Sequence, residues 1–331
     1  MKGTLRQAAR DARVGLGEMI ALLKETAGSA WGLCAALYLL PELLMTAVVW
    51  PQTSALFAQW EALLQDMLSG SADLEALLML AMQTSQTSQE VTMRTALVTL
   101  LSSFFLVPLL NASLAQMNLA RLKDGMRLSA NDAASQTLHG WKSLLFLAFL
   151  SMILTELLSL LPYFAITAIS FVTGLLAMIP GMADVVTIAG LAIALAVQAA
   201  FQFVVQSAFS FVWLAAVGEG ARGMAAFGRS VRLFRIRPGV VLLANLAVQA
   251  VVFVLMALIY AAWLAAFFAG GAPLRVLQLA EPLVQAAALP VSCALSAVLY
   301  VRLGGRGADD PYGAPRHLHD IRSANLPEDR A

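Results

Sequence analysis

The chain has 331 residues, 60% of them hydrophobic and only 12% charged, whereas a soluble domain carries about a quarter charged residues. With a mean hydropathy of +0.78, this composition excludes a water-soluble fold and leaves no stretch of mixed character long enough for an independent catalytic domain. Net charge is +1, and no nucleic-acid partner is expected; the placement of the charges is more informative than their sum.

An N-terminal segment, residues 1–27, carries Lys2, Arg6, Arg10, Arg13 and Lys24 and shows no cleavage signal. A bilayer core needs about 20 apolar residues in a helix, and runs of that kind occur at 28–50, 95–117, 143–162, 186–217, 240–268 and 280–301. Between the first two, residues 51–94 place Trp60, Leu63, Leu64, Met67 and Leu68, then Leu74, Leu77, Leu78 and Leu80, at helical spacings, with a break near Ser69–Ser71 and a polar connector over 84–89. The acids of this loop (Glu61, Asp66, Asp73, Glu75) favour docking on the protein's own outer face over reading lipid. Residues 163–182 follow Pro162 and read as an outer extension, an interfacial helix or a re-entrant piece. A seventh crossing there would place the arginines of 222–237 outside, against the positive-inside tendency. The tail, 303–331, has the composition of a disordered segment, and His317 and His319 within it make no metal site.

Nineteen of the 21 Lys and Arg residues fall in the N-terminal segment, the second loop, the fourth loop and the stretch from Arg302 through the tail, leaving only Arg94 and Arg275 on the other side. Lys and Arg near span ends set orientation. The expectation is therefore an all-α, polytopic membrane helix bundle of six transmembrane helices over residues 28–302, N-in and C-in, multi-pass in the cell (inner or plasma) membrane. Cysteines placed at Ser85 and Arg275 are expected to label from outside, and those at Ser129, Ser230 and Ser323 only in permeabilised cells.

Polar groups inside apolar spans are costly and mark functional positions. Glu42 and Glu156 lie in spans one and three, which run in the same direction, so the two carboxylates are expected in one layer. Gln198, Gln202 and Gln206 repeat every four residues on one face of span four, as Asn245 and Gln249 do in span five, and Asn111 and Pro108 fall in span two. Two readings stay open: interhelical hydrogen-bond glue, or a polar cleft with the glutamates as proton or cation sites. His139 reads as an interfacial residue, the Asn111 sequon is discounted inside a span, and Cys34 and Cys293 read as small hydrophobes. No zinc motif, phosphate-binding loop or nucleophile elbow occurs, so no metal, cofactor or enzymatic activity is expected.

The fourth loop is the most distinctive segment: Glu219, Gly220, Ala221 and Arg222, then Gly228, Arg229, Ser230, Val231, Arg232 and Leu233. It resembles the segment following a late span in the bacterial membrane-domain family attached to some glycerophosphodiester phosphodiesterases. The second loop, RLKDGMRLSANDA followed by Trp141 and Lys142, is similar to that family's layout, and the resemblance covers residues 17 to 302. It implies a multi-span domain; with no catalytic barrel in the chain, phosphodiesterase activity is not carried over. Read from the residues, Arg222, Arg229, Arg232, Arg235 and Arg237 line an inner-surface helix facing anionic lipid, or serve as topology determinants. The expected role is non-enzymatic engagement of membrane lipids or a membrane-protein partner. A proton-coupled transporter and a membrane scaffold or assembly factor are the alternatives.

Overall fold

The computed structural model describes residues 2–69, 74–177, 183–270 and 277–304; the tail with its two histidines, and Arg275, lie outside them. Helix makes up nearly all of this, and no strand occurs among the described residues. Six helical stretches are long and apolar enough to cross a membrane: Arg6–Pro51, Val98–Lys123, Trp141–Thr173, Ala192–Glu219, Pro238–Phe267 and Leu279–Gly304. The protein is thus an all-α polytopic bundle.

The first helical stretch runs without a break from α1 (Lys2–Cys34) through a π-helical turn (Ala35–Leu39) into α2 (Leu40–Ser69). At about 1.5 Å per residue it measures about 100 Å, some three times the hydrocarbon thickness. Its return partner is α3 (Leu74–Leu101), a second π-helical turn (Ser102–Leu106) and α4 (Val107–Lys123). Both π turns lie just before a proline, Pro41 and Pro108. Proline removes a donor and its ring crowds the carbonyl four residues back; widening the preceding turn relieves that clash without ending the helix.

Beyond the spans, α2 and α3 pack on each other. Leu56, Leu63 and Leu80 form a small buried cluster with Trp60 against it, and the Trp60 indole N–H donates to Thr84 Oγ1 at 3.0 Å. The 51–94 region therefore docks on itself. The 84–89 segment, expected as a connector, is helical: it contains neither Gly nor Pro, and apolar helix flanks it on both sides.

A short helix, α5 (Ala130–His139), follows a turn made by Gly125 at φ 67°. Ser129 caps it, its Oγ accepting from the Asp132 N–H at 3.1 Å. The helix α6 (Trp141–Ala177) continues through Pro162 and packs along α7 (Ala183–Phe209). Residues 163–177 continue α6 as a helical extension; residues 178–182 are not described. The fourth span is interrupted after Phe209 and resumes as α8 (Val212–Glu219). The amphipathic α9 (Met224–Ile236), α10 (Pro238–Gly270) and α11 (Leu277–Gly304) complete the chain.

The main core lies at the basic end of the bundle. There α1, α4, α8, α9, α10 and α11 bury Leu119, Phe211, Leu214, Leu233, Val241, Leu295 and Leu299. The N-terminal segment, residues 1–27 in the sequence reading, takes part as the first turns of α1. Away from this end, α2 and α3 pair on one side and α6 and α7 on another, and α10 exposes Val251, Phe253, Val254 and Leu258. In water such apolar exposure would be unstable, whereas lipid tails cover it at no cost.

Candidate functional site

Four ion pairs tie the basic segments together: Glu25 with Arg121, Glu219 with Arg229 at 2.9 Å, Asp11 with Arg237 at 2.6 Å and Glu18 with Arg302 at 2.7 Å. They join α1 to α4, α11 and the α9–α10 junction, and α8 to α9. The buried Tyr300 donates its hydroxyl to Glu219, and Lys123 Nζ stands 5.8 Å from the centre of its ring. Every cation-rich segment described thus meets at one end of the bundle. Of the five fourth-loop arginines, Arg229 and Arg237 are committed to these internal pairs. Arg222, Arg232 and Arg235 are exposed and form no ion pair among the described residues.

The loop before α9 depends on glycine. Gly220, at φ 66°, closes α8 in a left-handed cap, with the Ala221 N–H bonding back to the Ala215 carbonyl at 3.2 Å. Gly223 adopts φ 53° and ψ −129°, a region closed to side chains, and a Cβ there would meet the Phe146 ring at 2.8 Å.

From α9, Ser230 reaches into the interruption of the fourth span. Fully buried, its hydroxyl accepts from the Phe211 N–H at 3.2 Å and donates to the Ala208 carbonyl at 2.6 Å. Ser210 Oγ donates to the Ser207 carbonyl at 2.9 Å, the acceptor that the Phe211 N–H would use in a continuous helix. A side chain inserted into the backbone ladder is an established cause of a kink. Ser230, expected at a labelling-accessible loop surface, is therefore inaccessible: its hydroxyl substitutes for a missing helical turn.

Beside this interruption lies a cavity of about 210 Å³. Four amides, Asn111, Gln206, Asn245 and Gln249, and four serines, Ser207, Ser210, Ser292 and Ser296, line it together with Cys293, Phe203 and Trp213. The helices α4 and α11 contribute Asn111, Ser292, Cys293 and Ser296, whereas α7, α8, the interruption between them (Ser210) and α10 supply the rest. Gln206 and Gln249 are exposed and Ser207 is buried, so the cavity opens sideways between α7 and α10. Its depth follows from about 1.5 Å per residue: Ser296 is about 9 Å from Arg302, Asn245 about 10 Å from Pro238 and Asn111 about 15 Å from Arg121.

None of the four amides forms a hydrogen bond with another protein group among the described residues. The paired glutamine amides are Gln116 and Gln136, at 2.7 Å, outside the cavity. Asn118, two turns beyond Asn111 and 2% exposed, lies beside Cys293 and leaves its Oδ1 without a partner. Gln198 Oε1 is likewise buried without a partner, and Gln202 is exposed; neither lines the cavity.

The carboxylates stand apart. Glu42 lies in α2 near Tyr38 and Glu281, Glu156 is exposed on α6, and neither contributes to the lining. A second cavity, about 240 Å³, lies between α1, α4 and the turn after it, lined by Glu25, Ser29, Arg121 and Arg127 among others. Among the described residues, no group of three His, Cys, Asp or Glu side chains is placed to hold a metal ion.

No protein-family model, curated protein or solved structure matches the chain. The resemblance noted in the sequence rests on the quoted segments alone. Sequence reasoning singled out Asn111, Gln206, Asn245 and Gln249, which the fold brings together, and passed over Ser207, Ser210, Trp213, Ser292 and Ser296. Their signal was the spacing of Ser292 and Ser296, four apart on one face, and of Ser207 and Ser210, three apart. Serine in a span commonly satisfies itself on its own backbone, so the pattern carries little weight without the neighbouring helix.

Proposed function

We propose that this protein is a non-enzymatic membrane protein that holds an amphiphile in the lateral cleft between α7 and α10, its polar group in the cavity and its chains against the exposed apolar faces. The carrying observation is the set of four amides without protein partners around one opening. Buried amides used as glue bond one another; amides left open at membrane depth retain a hydrogen-bonding deficit that a ligand relieves. Exposed Arg222, Arg232 and Arg235 on α9 would draw the basic end to an anionic membrane surface, each contributing about 1 kcal/mol. With that end at the cytoplasmic face, both termini are inside the cell membrane, as the positive-inside tendency implies.

Proton coupling has less support, because neither Glu42 nor Glu156 lines the cavity and its lining contains no carboxylate, histidine, lysine or arginine. The same lining lacks a general base beside a nucleophile, which supports binding without catalysis. Native mass spectrometry of protein extracted in mild detergent tests the reading. The wild type should retain lipid adducts. The Asn245→Leu/Gln249→Leu variant, equally folded by its melting curve, should retain far fewer. Wild-type protein stripped of lipid under conditions that preserve other lipid complexes would refute the reading.

A further inference from the structure

We propose that the cavity is selective for an uncharged, hydroxyl-bearing headgroup, of the acylglycerol or glycosyl-lipid class, over a phosphate-bearing one. This rests on the reading of the cleft as an amphiphile site. Two properties of the cavity point to it: the lining has no charged side chain, and its polar groups both donate and accept.

An amide offers two donors and an acceptor, and a serine hydroxyl a donor and two acceptor sites. A polyol presents the same mixture, so each of its hydroxyls can donate to an amide or hydroxyl oxygen while accepting from an amide N–H. The phosphate of a phosphodiester, or of a fully ionised phosphomonoester, offers only acceptor oxygens and would leave the carbonyl oxygens of Asn111, Gln206, Asn245 and Gln249 unanswered. Trp213 and Phe203 supply aromatic faces against which the C–H surface of a polyol packs.

Depth reinforces the chemistry. Normally seated lipid keeps its phosphate at the interface, level with the arginines and lysines that terminate the helices. The cavity lies about 9–15 Å farther in at 1.5 Å per residue, among acyl chains, and a headgroup must leave the interface to enter it. An anion making that move finds no cation in the lining and is strongly disfavoured. A neutral polyol exchanges water for the waiting amides and hydroxyls.

Cys293 supplies the readout, because it lines the cavity and is half-buried, whereas Cys34 is 1% exposed and absent from the lining. The full-length protein in mild detergent would be alkylated with N-ethylmaleimide while dioleoylglycerol or dioleoyl phosphatidic acid is added, two probes with the same chains. At ten times its half-saturating concentration, dioleoylglycerol should slow Cys293 alkylation about tenfold, and phosphatidic acid at the same concentration should slow it less than about twofold. Asn245→Ala should weaken the protection with an unchanged melting curve, and Ser292→Ala provides a second variant if the first fails to fold. Equal protection by both lipids, or protection by phosphatidic acid alone, would overturn the headgroup selectivity and leave the amphiphile reading standing. No protection by either probe would overturn the selectivity as well. The amphiphile reading falls with it if native mass spectrometry also finds no retained lipid.

Discussion

Ser230→Ala tests whether α9 holds the fourth span in its interrupted form. The substitution removes one oxygen and leaves the Phe211 N–H, on a residue with 0% exposure, and the Ala208 carbonyl without their partners. A buried donor left unsatisfied costs about 1–3 kcal/mol, and a lost bond to a carbonyl with another acceptor site about 1 kcal/mol. The expected loss is therefore about 2–4 kcal/mol. Unfolding in graded SDS, followed by helical circular dichroism, reads this directly. Thr167→Ala is the control, since its exposed hydroxyl bonds only the Tyr163 carbonyl one turn back; it should change stability by less than about 0.5 kcal/mol. A Ser230→Ala loss no larger than that of the control would show that the interruption is held by surrounding packing, and that the bridge contributes nothing measurable.

Gly223→Ala forces a side chain into a glycine-only conformation and against Phe146, and should destabilise by at least about 1–3 kcal/mol in the same assay. The double variant Glu42→Gln/Glu156→Gln should retain wild-type lipid adducts, because both residues lie outside the cavity; loss of adducts would restore the proton-site reading. Single cysteines at Ser85 and at Ser129 or Arg235 test orientation. Ser85 should label in intact cells and the other two only after permeabilisation, and external labelling at Arg235 would invert the proposed topology.

The fold was legible where a physical rule acts on composition. Apolar runs of span length located all six helices long and apolar enough to cross a membrane, because hydrocarbon admits little else, and the gathering of the basic segments at one end agrees with their alternation along the chain. Run lengths understated the helices, since a bilayer requires only about 20 residues, and α2 and α6 run on through Pro51 and Pro162 to Ser69 and Ala177. The interruption at Ser210–Phe211 left no local trace: no Gly or Pro marks it, and the residue that bridges it, Ser230, is 19 positions away in sequence. At the site, the amides were visible because each is conspicuous in an apolar span. Their convergence was not, because periodicity reports which face of one helix a residue shares and says nothing about which faces of α4, α7, α10 and α11 meet. The glutamates illustrate the same limit: equal depth along two parallel spans placed Glu42 and Glu156 in one expected layer, yet the helices bearing them belong to different hairpins.

The sign of one substitution separates the open readings of the amides. If Asn245 and Gln249 were glue, replacing each with leucine would lose an interhelical bond worth about 0.6–2 kcal/mol. In the structure neither amide bonds another protein group among the described residues; Asn245 is half-buried and Gln249 exposed at the cleft mouth. Leucine there removes an amide that hydrocarbon solvates poorly and adds apolar surface that lipid or the cleft wall covers, so the double variant should be as stable as wild type or more so. The same variant should lose lipid adducts. Stability rising while binding falls is the signature expected of groups retained for a ligand at a cost to the fold. SDS unfolding and native mass spectrometry on one preparation measure both quantities, and a stability loss of about 1 kcal/mol or more with adducts unchanged would return the amides to a structural role.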